Sequence, residues 1–91
     1  MTSSTIGQIR RALAVFHPTT LHIEDDSHHH RGHAGSREGG GHYRILIEAE
    51  TFRNRSRLEC HRLVYEALGS LMVKEIHALQ VQAHAPTTPV V

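Results

Sequence analysis

Apolar residues recur along the chain with two different periods, and the changes of period divide it into elements. Ile6, Ile9, Leu13 and Phe16 are spaced three and four apart while Arg10 and Arg11 fall on the other side, which predicts an amphipathic helix of about three turns. Ser3, Ser4 or Thr5 can cap its start, and His17-Pro18 ends it because the residue before a proline is driven out of the right-handed helical region. Leu21 to Glu24 alternates apolar and polar, the period of a short strand closed by Asp25-Asp26-Ser27. Ser27 to Gly41 holds five glycines and no apolar run, so it reads as a loop longer than most connections in a small domain. His42 to Glu50 alternates most clearly, with Tyr43, Ile45, Ile47 and Ala49 on one face and Arg44, Glu48 and Glu50 on the other; this strand should pair antiparallel with the first.

Beyond a turn at Thr51 to Arg55, Ser56-Arg57-Leu58-Glu59 has the residues of a capping box and predicts a helix start. The buried stripe of that helix is expected to contain His61, Val64, Tyr65, Leu68, Leu71 and Met72. Gly69-Ser70 weakens the helix, so that Leu71 to Glu75 forms a separate turn, and His77 to His84 alternates as a last strand. The order of helix, strand, strand, broken helix, strand predicts an α+β fold with helices packed on one face of a three-stranded sheet. A chain of 91 residues has room for one such core, here about residues 5–86 with a frayed tail over 87–91.

Composition changes this picture in three places. The single cysteine, Cys60, excludes an internal disulfide and a four-thiolate metal site, which suits a reducing compartment. No run approaches the roughly 20 apolar residues of a membrane span, and Met1 to Thr5 lacks the basic start of a secretory signal; the expected location is cytoplasmic, or a mitochondrial or plastid matrix if an import sequence has been removed. Ten histidines, in a chain whose formal net charge is only +1, bring metal ligation into view.

Catalytic signatures are missing. There is no nucleophile elbow, Walker loop or dinucleotide fingerprint, and Gly39-Gly40-Gly41 leads into a strand rather than a phosphate-cradling helix. Cys60 and His61, adjacent on a helix, point about 100° apart and make no nucleophile and base pair. The chain is therefore expected not to be an enzyme, Cys60 to be a half-exposed spectator, and His61 to be a structural core histidine bonded to a backbone carbonyl. His77 opens the last strand on the face of Leu79 and Val81, at an end where its ring reaches the surface. His30 and His33 lie on a loop able to approach it. Two imidazoles are too few for structural zinc but suffice where a partner supplies the remaining ligands.

Several short runs in order resemble the BolA family. Asp26-Ser27-His28-His29-His30 is similar to its acidic-Ser-x-x-His element, and His42-Tyr43-Arg44-Ile45 to its His-aromatic strand opening. Cys60-His61-Arg62-Leu63-Val64-Tyr65 resembles its Arg-His-Arg-hydrophobic-Val-Tyr helix, and Ile76-His77-Ala78-Leu79 its hydrophobic-His-Ala-Leu strand. The resemblance implies a class II KH-like fold of order αββααβ and partnership with a monothiol glutaredoxin of the Cys-Gly-Phe-Ser type, the two proteins sharing a [2Fe-2S] cluster. The glutaredoxin cysteine and a glutathione thiol would hold one side. His77 would hold the other with a loop histidine, His30 by position and His33 as runner-up, although His28 and His29 stand beside them. Such a protein acts in iron-sulfur cluster trafficking and assembly or in iron-redox regulation, and alone is expected to be a monomer or a weak homodimer. Because imidazoles titrate near neutrality, the heterocomplex should be pH-sensitive. The chain departs from the family pattern at Cys60, which stands where the first arginine of the helix run is usual, at Gly69-Ser70, and in a tail without a terminal aromatic.

A KH-like fold also suggests a DNA-binding transcriptional regulator. Arg53, Arg55, Arg57 and Arg62 cluster around the start of the second helix and can contact phosphates. Against this stand the missing Gly-x-x-Gly clamp and the 4% aromatic content, which leaves little for base stacking.

Overall fold

The strand with the clearest alternation becomes the centre of the sheet. In the computed structural model, which describes residues 5–26 and 41–87, β2 (Gly41–Glu48) lies between β1 (Thr20–Asp25) and β3 (Ile76–His84). β1 pairs antiparallel with β2, Thr20 opposite Glu48 through Asp25 opposite Tyr43, as the two alternating runs imply. β3 runs parallel to β2, an arrangement that requires a long crossover. Residues 49–75 provide it through α2 (Arg57–Leu68) and α3 (Leu71–Lys74). The N-terminal α1 (Thr5–Leu13) completes the αββααβ order.

All three helices serve the same side of the sheet. Tyr43, Ile45 and Ile47 are buried while Arg44 is exposed, and Ile9 and Leu13 of α1 close over them with Val64 and Leu68 of α2. A 3-10 turn at Ala14–Phe16 follows α1, and His17, at φ 50, leaves the right-handed region immediately before Pro18. Phe16 then meets Phe52, their ring centroids 5.2 Å apart, which ties α1 to the start of the crossover. Ser56 caps α2 with both bonds of the capping box: Glu59 N–H donates to its hydroxyl at 3.1 Å and Ser56 N–H donates to the Glu59 carboxylate at 2.9 Å. At the other end Gly69 takes φ +52, a conformation that L side chains resist, and separates α2 from α3.

The phase of α2 differs from its sequence reading. Cys60, Val64 and Leu68 face the core, whereas His61 is half-buried on the flank and Tyr65 is exposed. The apolar stripe thus lies one position earlier than expected, because cysteine packs as a small hydrophobe and its side of the helix is turned toward Phe52 and the end of β3. His61 is not a core histidine; its ring stands edge-on to that of Tyr65. Gly41, expected to end the loop, is already the first residue of β2. The caps at Ser3 and Ser4, the rest of the 27–41 loop and positions 88–91 of the tail lie outside the described residues.

Cys60 is buried rather than half-exposed, with its Sγ 3.7 Å from the Phe52 carbonyl oxygen, to which the thiol donates. Burial pushes the thiol pKa up, Arg55 opposing and Glu59 assisting. A thiol that holds its proton more tightly when folded contributes stability that is complete below the unfolded value of about 8.5 and is lost as the pH rises through the folded one. Stability measured by urea unfolding is therefore expected to decline above about pH 8.5, and Cys60→Ala to flatten that decline. A decline of equal slope in the variant would show that another group causes it.

Candidate functional site

The end of the sheet where β1 stops and β3 starts gathers the chemistry. Gly41 pairs with Ile76 but His42 pairs with Ala78, so one step along β2 is matched by two along β3, and His77 is the extra residue of a bulge. Ile76 takes the inward position, 4% exposed, and His77 is turned out. This corrects the reading that placed His77 on the inner face with Leu79 and Val81: the bulge breaks the strand period between them. The ring that emerges stands 5.3 Å, centroid to centroid, from that of His42, with the planes inclined by 47°.

His42 belongs to the helix-free face by its alternation with buried Tyr43. Its carbonyl accepts the Asp26 N–H at 2.7 Å, which carries the β1–β2 pairing one residue past β1. Arg44, also on this face, reaches Glu24 at 3.4 Å and Asp26 at 3.3 Å and clamps the end of β1 to β2. Gly41 N–H donates to the Glu75 carbonyl at 2.9 Å, anchoring β2 to the turn before β3. Residues 26 and 41, which flank the segment carrying His30 and His33, are thus both held at the end of the sheet that displays His42 and His77. His30 and His33 themselves lie outside the described residues.

Sequence reasoning quoted His42 only as a strand opening and missed its place beside His77. Once β3 is set parallel to β2, both histidines fall at the same end, but that pairing joins residues 35 apart in sequence and no local pattern announces it. Two imidazoles can share one metal ion and leave half of a tetrahedral set open. Among the described residues no group of three or more His, Cys, Asp or Glu side chains gathers to complete one.

The arginines divide. Arg53 is engaged by Glu50 through two bonds, Nε to Oε1 at 2.7 Å and a terminal nitrogen to Oε2 at 2.8 Å, which hold the carboxyl below its ordinary range and raise the guanidinium. Arg55 donates its Nε to the Thr51 carbonyl at 2.7 Å and, with Arg57, lines a cleft of about 450 Å³ between the start of α2 and the end of β3. His61 and His84 border the same cleft; Arg62 is exposed further along α2 and, like Arg53, does not line it. His84 stands 3.6 Å from Glu48.

Comparison with known proteins places these features in a family. The family described as BolA-like protein matches residues 13–88. The chain is 33% identical over 82 residues to an uncharacterized protein of the cobS 5′ region from a Sinorhizobium species, covering 88% of each. It is 36% identical over 80 residues to BolA-like protein 1 of Mus musculus, where the match takes in 88% of this chain and 54% of that protein, about half its length. Among solved structures it resembles BolA1 from Arabidopsis thaliana with a TM-score of 0.79 and 29% identity, covering 98% of this chain and 99% of that one.

Proposed function

Since the chain belongs to the BolA-like family, we propose that it is a non-enzymatic partner of a monothiol glutaredoxin and ligates, jointly with it, a [2Fe-2S] cluster in iron-sulfur trafficking or iron-redox regulation. The observation that supports this reading best is the outward bulge of His77 against His42. A cluster iron ordinarily has thiolate ligands, and this chain's one thiol is buried under α2, far from the function of an exposed ligand. What the chain offers at its surface is imidazole, the donor that replaces two cysteines on one iron in Rieske-type centres. The thiols on the other iron are then those of the glutaredoxin cysteine and glutathione.

His77 is one ligand in this proposal. The second is an imidazole brought to the same end of the sheet: His42 is the one that stands there among the described residues, and His30 and His33 belong to the segment rooted beside it. Adding the chain to a glutaredoxin carrying a glutathione-ligated [2Fe-2S] cluster should change the visible circular dichroism and saturate at one chain per cluster. Of His42→Ala, His30→Ala and His33→Ala, the variant that removes the second ligand should lose the change. An unaltered spectrum on adding the unmodified chain would refute the proposal.

A second reading, DNA binding, has the cleft at the start of α2 in its favour, because Arg55 and Arg57 converge there. Arg53, already neutralised by Glu50, contributes little. If phosphates bind there, affinity should fall steeply with salt and Arg55→Ala with Arg57→Ala should flatten that slope by about two contacts, with Arg53→Ala near neutral. Equal slopes in all three chains would remove this reading.

A further inference from the structure

The two edges of the sheet are not alike. β1 spans six residues and carries Glu24 and Asp25, the kind of charge that discourages the addition of another strand. β3 spans nine, is paired on one side only among the described residues, and holds no Asp, Glu, Lys, Arg or Pro from Ile76 to His84. Its backbone direction follows from its pairing. Ala49 N–H donates to the His84 carbonyl at 3.1 Å, so the polar groups of His84 face β2. Alternate residues of a strand aim theirs the opposite way, which turns the N–H and C=O of Leu79, Val81 and Ala83 to the open edge. Nothing in the side chains along it protects that edge.

We propose that a second copy of this chain adds to the β3 edge, antiparallel, about a two-fold axis at Val81, joining two three-stranded sheets into one of six strands. Val81 then meets its counterpart and Leu79 pairs with Ala83 of the partner subunit, each pair exchanging both backbone bonds. Gln80 lies opposite Gln82 of the partner subunit in the closer, non-hydrogen-bonded position.

Two features select a second copy rather than an unrelated strand. The edge is self-complementary under this operation, as an isologous interface must be. Beside it, α2 exposes Leu58 at 62% and Tyr65 at 39%, three and four residues either side of His61, which faces the β3 side of the helix. α2 begins next to the His84 end of β3, so the two-fold sets the two α2 helices antiparallel. The first half of one, where Arg57 and Arg62 outnumber Glu59 and the Glu59 carboxylate is engaged by the Ser56 N–H, is then directed toward Glu66 in the last turn of the other. The exposed apolar pair is covered and the charges are complementary.

The test uses the purified chain alone, by sedimentation velocity from micromolar to millimolar concentration, with far-ultraviolet circular dichroism to confirm folding of each variant. The unmodified chain should pass from monomer to dimer as concentration rises. Gln80→Glu with Gln82→Glu sets like charges opposite each other twice and should weaken the dimer roughly tenfold. Gln80→Glu with Gln82→Lys sets opposite charges in the same positions and should dimerise at least as well as the unmodified chain. Val81→Pro removes an outward N–H without touching the bonds to β2 and should remain monomeric. A chain that stays monomeric throughout, a doubly acidic variant that dimerises like the original, or an acidic and basic variant that fails to recover would each overturn the proposal.

Discussion

With His77 replaced by alanine, the chain is expected to leave the visible circular dichroism of the cluster-loaded glutaredoxin as it was before mixing. His77 is the exposed residue of a bulge whose ring meets His42 at the surface and takes no part in the core, so the change deletes an imidazole while the fold persists. A two-histidine set on one iron cannot survive the loss of one member, because the other alone leaves a coordination position to water or to the glutaredoxin's own thiols. The expected effect is complete loss of the spectral change, with protein association, followed by titration calorimetry in the absence of cluster, retained within a few-fold. Association without a cluster signal distinguishes lost ligation from lost docking. A His77→Ala chain that still alters the spectrum as the unmodified chain does would rule out ligation by this residue, and with it the proposed shared site.

Ile47→Ala is expected to be the most damaging single truncation for stability. Ile47 is fully buried on the central strand, between Leu21 of β1 and Ala83 of β3, beneath the helices. Neither neighbouring strand can close in on the space without breaking its ladder, so the lost methyl groups leave a cavity. Truncations of this kind cost about 3 kcal/mol, a large part of the roughly 5–15 kcal/mol that holds a domain together. For a chain of this length the midpoint of thermal unfolding should fall by roughly 15 °C. Val73→Ala provides the contrast: at 86% exposure Val73 should be worth less than about 0.5 kcal/mol. Urea unfolding of the two variants measures both, and a loss at Ile47 no larger than at Val73 would contradict the packing described.

Much of the fold is legible in the sequence because most of its elements obey a local period. The alternation of Tyr43, Ile45, Ile47 and Ala49 names both the central strand and its buried face, and the two residues that make the capping box at Ser56 and Glu59 stand three apart in the chain. The break at Gly69-Ser70 is read from glycine's weak helix propensity, and the positive φ at Gly69 agrees with it. Errors arise where two periods compete. On α2 the stripe through His61 and Tyr65 and the stripe through Cys60 and Val64 differ by a single position, and only the packing of the helix against Phe52 and the sheet selects the second.

The candidate site was half visible. His77 stands out by its position at a strand opening and by the family resemblance, but its direction does not, since a bulge is a relation between two strands and leaves no mark on either alone. The same holds for His42, whose nearness to His77 depends on β3 lying parallel beside β2, and for the division of the arginines, where Glu50 engages Arg53 and leaves Arg55 and Arg57 to the cleft. The elements, their order and the buried face of the central strand are written in the chain, because they rest on spacing within a few residues and on the burial of apolar surface. Which histidines meet, which edge of the sheet is left unpaired among the described residues and which flank of α2 faces out follow instead from strand register and helix packing, contacts between residues distant in the chain.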